Sequence, residues 1–196
     1  MLTEAETSKM EPSRMHDIGG CRVILENVQE VYKLVEEYRA YDQKQTKVTS
    51  ECIYPYDKYD YIQNPRPTGY RGIHLVYRYK RWYPQRNTRL AQYEGLKVEI
   101  QFRSRLQHAW STAVEIVDAY RKSELKSGGG SPEWKRFFVL ASALIARIEN
   151  TPHSIFGDDI LAMQRELGKY TAIINTIEGF NKATEHIHAM TNQVGV

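Results

Sequence analysis

A chain of 196 residues suits one domain with a full core, or one domain with a helical appendage. Hydrophobic residues at 41% and charged residues at 26% exclude a disordered or fibrous chain, and a net charge of +3 is too mild to argue for nucleic acid by itself. Cys21 and Cys52 stand without metal-ligand spacing, which excludes a disulfide framework or zinc site and favours a reducing compartment. The longest strongly apolar run, residues 137–146, is too short to span a bilayer. The expectation is a cytoplasmic protein with no membrane association.

Residues 1–16 are polar and lack a period, so an irregular lead-in is expected. Residues 21–25, CRVIL, predict a short strand. Asn27 and Glu30 have the spacing of a capping box, and Val28, Val31, Leu34, Val35 and Tyr38 recur on one helical face. Strand, turn and helix therefore come in that order. A polar loop is expected over 42–51. Residues 54–93 hold nine of the 14 tyrosines, and residues 66–105 hold ten Arg or Lys against two Glu. That is a basic face suited to phosphate groups. Pro65, Pro67 and Gly69 punctuate the approach to a strand at 72–79, and a second strand is expected at 96–102.

Ser104 and Gln107 can cap the next helix, whose Leu106, Ala109, Trp110, Ala113, Val114 and Val117 keep helical spacing; Trp110 is read as core. The segment 127–131, SGGGS, is a flexible loop, and Ser131-Pro132 then opens a helix with Ser as cap and Pro in its first position. Helix is expected from there to about residue 190. Its apolar stripe, from Ile160 through Met163, Leu167, Tyr170, Ile174 and Ile177 to Phe180, suits core packing or an oligomer contact. The architecture expected is α/β (α+β), with a core over 1–126 and a helical extension over 132–196.

The two central strands carry the chemistry. In a strand, successive side chains point to opposite faces. Val98, Ile100 and Phe102 are expected to face the core, leaving Glu99, Gln101 and Arg103 on the other side. In the earlier strand, Ile73, Leu75 and Tyr77 share one face, and His74, Val76 and Arg78 the other. If the strands are near each other in one sheet, their polar faces form a single floor. Asp17 precedes Gly19-Gly20, which is expected to give it a permissive backbone at a strand edge. Asp17 and Glu99 are carboxylates of the kind that hold Mg²⁺ against nucleotide phosphates. The His16-Asp17 pair could also suggest an HD-type phosphohydrolase, but that site gathers its residues from helices, and this pair precedes a strand.

DIGGCRV (17–23), DYIQNPRPTGYRGIHLVY (60–77) and VEIQFRSRLQHAW (98–110), in that order, resemble the synthetase domain of the RelA/SpoT family over about residues 15–118. The resemblance implies a nucleotidyltransferase-like mixed sheet flanked by helices. It implies an enzyme that moves the β,γ-pyrophosphate of ATP to the 3′-hydroxyl of GDP or GTP, with Mg²⁺ as cofactor. By position, Asp17 would be a metal ligand, and Glu99 a second ligand or the base for the attacking hydroxyl. Arg22 would stack on the adenine, and Tyr70 on the acceptor base. Arg66 and His74 would contact phosphate, with Gln101 and Arg103 beside Glu99 and His108 near the acceptor base. Arg71 joins Arg66 and His74 as an expected phosphate-holding residue.

The family's basic stretch upstream of the first aspartate is not matched in MLTEAETSKMEPSRMH, where Lys9 and Arg14 are the basic residues. The chain otherwise resembles the small, single-domain synthetases, for which a homo-oligomer is expected. Two alternatives stand beside the guanosine reading. One is a toxin-type relative acting on adenosine nucleotides or the tRNA 3′ end, with an antitoxin as partner. The other is a nucleotide-binding module impaired in catalysis.

Overall fold

Four strands form one mixed sheet in a computed structural model that describes residues 19–44, 50–80, 92–121, 130–153 and 159–178. In chain order the elements are β1 (Gly19–Leu25), α1 (Val28–Lys44), β2 (Ser50–Cys52), β3 (Ile73–Tyr79), β4 (Lys97–Ser104), α2 (Arg105–Arg121), α3 (Pro132–Ile148) and α4 (Ile160–Glu178). The strand order is β1-β4-β3-β2; β1 runs parallel to β4, and the other neighbours are antiparallel.

One face of this sheet is closed by α1. Val28, Val31 and Val35 pack against Ile73, Leu75, Tyr77 and Phe102, so the alternation in β3 and β4 divides core from floor as the pattern requires. Asn27 Oδ1 accepts from the backbone N–H of Glu30 at 2.9 Å. The reciprocal bond from Glu30 runs to the N–H of Glu26 rather than Asn27, at 3.2 Å. At the head of α2 the capping box is complete: Gln107 N–H donates to Ser104 Oγ at 3.1 Å and Ser104 N–H to Gln107 Oε1 at 3.2 Å. Ser131 caps α3, with Pro132 in its first turn.

A second core lies between α2, α3 and α4. Trp110, Val114 and Val117 meet Trp134, Phe137 and Phe138, and Met163, Leu167 and Ile174 close the far side. Arg136 grips Glu166 through two bonds of 2.7 and 2.8 Å and ties α3 to α4. The stripe on α4 is therefore core at Met163, Leu167 and Ile174. Ile160 is 38% exposed, and the side chain of Ile177 and all of Phe180 lie outside the described residues.

Several expectations need correction. The expected loop at 42–51 begins as helix, because α1 continues to Lys44, and ends as β2. That three-residue strand pairs on the edge through Glu51, which contacts Arg78 at 3.7 Å and also Lys80, an ionic support with no hydrophobic alternation to announce it. Val98 is 42% exposed, since the cluster beneath the sheet reaches Ile100 and Phe102 but stops short of it. Val76 shares the face of His74 yet is buried.

Gly19 and Gly20 have no positive φ; Gly20 instead lies so close to β4 that a Cβ would stand 3.0 Å from the Glu99 carbonyl oxygen. The expected helix through 150 is interrupted. Asn150 adopts φ 51°, its N–H bonds Arg147 O and that of Thr151 bonds Ala146 O, the pattern that closes a helix C-terminus. Among the described residues no helix is long and apolar enough to cross a membrane.

Candidate active site

Register sets the floor of the site. Arg22 of β1 and His74 of β3 both lie opposite Gln101 of β4, so three polar side chains form a row across three strands. Glu99 lies two residues back along β4, between Gly20 and Val76. Arg103, two residues forward, is 3% exposed. The strict alternation of β4 puts all three of its polar residues on one face.

Hydrogen bonds join this row into a network. Gln101 Nε2 donates to Glu99 Oε1 at 2.7 Å, while its Oε1 accepts from Arg103 Nη2 at 2.9 Å and from Arg22 Nε at 3.4 Å. Gln101 thereby holds the carboxylate with one end of its amide and two guanidinium groups with the other. His74 Nδ1 stands 3.2 Å from Glu99 Oε1, and its Nε2 meets the Tyr70 hydroxyl. Arg103 Nη2 also donates to that hydroxyl, at 2.9 Å, and Nη1 donates to Ser111 Oγ at 3.0 Å.

Arg103, the Tyr70 hydroxyl, the His74 ring and the Glu99 carboxylate thus form one continuous chain of polar contacts. Burial pushes the Tyr70 hydroxyl above the ordinary phenol range, and the Arg103 charge pulls it back.

The loop before β3 supplies the rest of the rim. Arg66 Nη2 donates to Tyr61 Oη at 2.6 Å, and its guanidinium lies 4.3 Å from the Tyr61 ring centroid and 5.7 Å from that of Tyr70. Gly69 makes this turn possible. Its φ is 88°, and a Cβ there would stand 3.0 Å from Ser142 Cβ and 3.2 Å from Trp110 Cζ2. The Gly69 carbonyl accepts from Ser142 Oγ at 2.6 Å, which seats the loop on α3.

A cavity of about 570 Å³ opens above the floor, a size suited to a small-molecule ligand. Arg22, Arg66, Tyr70, His74, Glu99, Gln101 and Arg103 all line it, so seven of the ten residues singled out from sequence converge. Asp17 lies outside the described residues. His108 is not among the lining residues; burial first, then the charges of Arg22 and Arg103, hold its pKa below the usual imidazole value.

Arg71 does not join the phosphate-facing group. It is 3% exposed and donates to Pro152 O at 2.8 Å, Ile62 O at 2.9 Å and Thr151 Oγ1 at 2.5 Å, binding the floor loop to the turn after α3. The alternation that sends His74 to the cavity says nothing about Arg71, which precedes the strand.

The opposite wall went unnoticed in the sequence. Ser111 and Val114 of α2 and Lys135, Phe138 and Val139 of α3 line the cavity, and Trp110, read as core, is core and wall at once. Its indole N–H donates to Phe138 O at 2.8 Å. Helical spacing marks 135, 138 and 139 as one face but does not say what that face meets.

The chain is similar to known proteins. The family description "Region found in RelA / SpoT proteins" matches residues 2–124. The GTP pyrophosphokinase YwaC of Bacillus subtilis (strain 168) is 31% identical over 107 residues, which cover 54% of this chain and 43% of that protein. The match thus spans less than half the length of that relative. Among solved structures, small alarmone synthetase 2 from Bacillus subtilis superposes with a TM-score of 0.54 at 19% identity, covering 83% of this chain and 73% of that one. A GTP pyrophosphokinase family protein from Streptococcus pneumoniae gives 0.53 at 20%, covering 87% and 74%. Small alarmone synthetase 1 from Bacillus subtilis, bound to its product pppGpp, gives 0.50 at 25%, covering 71% and 62%.

Proposed function

The chain belongs to the RelA/SpoT family, and on that premise we propose that it is a pyrophosphokinase that transfers the β,γ-pyrophosphate of ATP to the 3′-hydroxyl of GDP or GTP. The observation that carries this reading is Glu99. Among the described residues it is the carboxylate lining the cavity, held by Gln101 and facing His74, on a floor that also presents Arg22 and Arg103, with Arg66 on the rim. Phosphoryl-type transfer asks for positioning and charge stabilisation more than for covalent chemistry, and this floor supplies both. Support comes also from the relative named a GTP pyrophosphokinase and from the neighbour bound to pppGpp.

In this mechanism Glu99 takes the proton of the 3′-hydroxyl, and the oxygen forms a bond to the β-phosphorus of ATP. The bond from that phosphorus to the oxygen bridging to the α-phosphate breaks, and AMP leaves. Gln101 and His74 keep the carboxylate aimed at the hydroxyl. Arg66 and His74 are the groups proposed to contact the phosphates, Arg22 to stack on the adenine, and Arg103 to hold Gln101 and Tyr70 in place beside Glu99.

Among the described residues no group of three or more His, Cys, Asp or Glu is placed to hold a metal. Mg²⁺ ordinarily takes one or two carboxylates together with substrate phosphates, so Glu99 fits as an oxygen donor, and Asp17 is the second carboxylate proposed for it. The ion would neutralise triphosphate charge. Both substrates are intracellular nucleotides, so we place the protein in the cytoplasm.

The test is transfer of label from γ-³²P ATP, with Mg²⁺, to GDP, GTP, AMP, ADP or deacylated tRNA offered separately. Label on GDP or GTP is the expected result. Label on an adenosine nucleotide or tRNA instead would assign the toxin-type acceptor. Absence of transfer to every acceptor, in folded protein that binds guanosine nucleotide, would make the chain a binding module.

A further inference from the structure

Each arginine that lines the cavity is already engaged. Arg22 is held by Gln101, and Arg66 by the Tyr61 hydroxyl and ring. Arg103 is buried among Gln101, Tyr70 and Ser111. Lys135 is different. It lines the same cavity from the first turn of α3, and among the described residues its ammonium makes no ion pair or hydrogen bond. Its neighbour Arg136 turns the other way and is spent on Glu166 of α4. The two adjacent cations are thus divided between structure and cavity.

Lys135 lies one turn before Phe138 and Val139 on the lining face of α3, so its aliphatic stem extends an apolar wall and its charged end is free to follow a mobile phosphate. A compact ammonium on a flexible stem suits a phosphate as a point charge, without the fixed fork of an arginine. Glu99 lines the cavity from β4 and Lys135 lines it from α3. We propose that Lys135 binds the 5′-phosphate chain of the acceptor nucleotide while the 3′-hydroxyl faces Glu99, and so sets a preference for nucleoside diphosphates over the bare nucleoside. Residue 135 lies outside the stretch matched by the family description, which ends at 124. The proposal rests on the pyrophosphokinase reading for its choice of ligand.

Binding of guanosine, GMP and GDP, each without ATP, is measured by isothermal titration calorimetry on wild type, Lys135→Met and Lys135→Arg. Wild type is expected to bind GDP more tightly than guanosine. Lys135→Met should weaken GDP by about tenfold, the size of one partly screened charge-assisted contact, and leave guanosine unchanged. Lys135→Arg should recover most of the loss. Equal affinities in wild type and Lys135→Met for GDP overturn the proposal, as does an equal loss for guanosine and GDP. In both cases wild type still binds nucleotide, so the pyrophosphokinase reading stands. Failure of wild type to bind any guanosine ligand overturns both.

Discussion

The floor and the wall of this cavity are built on opposite terms. The floor comes from two central strands and an edge strand whose polar side chains are tied to one another: Gln101 fixes Glu99, Arg103 and Arg22, and His74 bridges Glu99 to Tyr70. The wall comes from two helices, is largely apolar at Trp110, Val114, Phe138 and Val139, and carries one charged side chain, Lys135, whose ammonium makes no ion pair or hydrogen bond among the described residues. A network of shared hydrogen bonds gives rigid aim, as chemistry requires. An apolar surface with a single cation is the arrangement that the proposed acceptor contact uses for affinity and selectivity. The two are joined where Gly69 seats on α3 and Arg71 holds the turn after it.

Glu99→Gln attacks the floor alone. The amide keeps the shape of the carboxylate and loses its basicity, so turnover should fall by about 10²–10⁴, as for removal of a general base, while the melting temperature stays close to wild type. Steady-state transfer kinetics and a thermal melt check both halves of that statement.

Arg71→Met attacks the joint. It leaves the buried carbonyls of Ile62 and Pro152 without their donor and takes away a positive charge near Glu149. A loss of about 3 kcal/mol in urea unfolding is expected. Gly69→Ala attacks the same joint from the backbone. A φ of 88° strains any side chain, and the Cβ would press on Ser142, so a loss of about 2 kcal/mol is expected by the same measurement.

Glu149→Gln should have the smallest effect, and its sign depends on pH. Burial holds the Glu149 carboxyl above the ordinary glutamate range, against the pull of its bonds from Ser104 and Gln107. A raised acid contributes stability below its unfolded pKa and loses it as pH rises through the folded value. Unfolding at a series of pH values should therefore show wild type losing ground to Glu149→Gln as pH rises above the ordinary glutamate range.

Much of the floor was legible in the sequence and little of the wall. Strand alternation has a fixed period of two, so Glu99, Gln101 and Arg103 could be assigned to one face, and His74 to the same side of the neighbouring strand, before any contact was known. The capping box of Ser104 and Gln107 and the Ser131-Pro132 start were legible because caps depend on neighbours in the chain.

Lys135 and Val139 escaped because the pairing of two helix faces across a cavity is a long-range fact. Arg71 was misplaced for a related reason: it sits before the strand begins, where alternation has no authority. The turn at Asn150 left a faint signal in Asn150 and Pro152, outweighed by the apolar stripe that resumes on α4. The short β2 left none, since its support is ionic.

The most direct test of this division is the affinity of Glu99→Gln for GDP in the absence of ATP, measured by calorimetry beside its transfer rate. A floor that performs the chemistry and a wall that holds the acceptor predict a GDP dissociation constant within about twofold of wild type, although turnover is lost. An affinity that falls in step with the rate would contradict the account, because Glu99 would then be holding the nucleotide rather than acting on its hydroxyl.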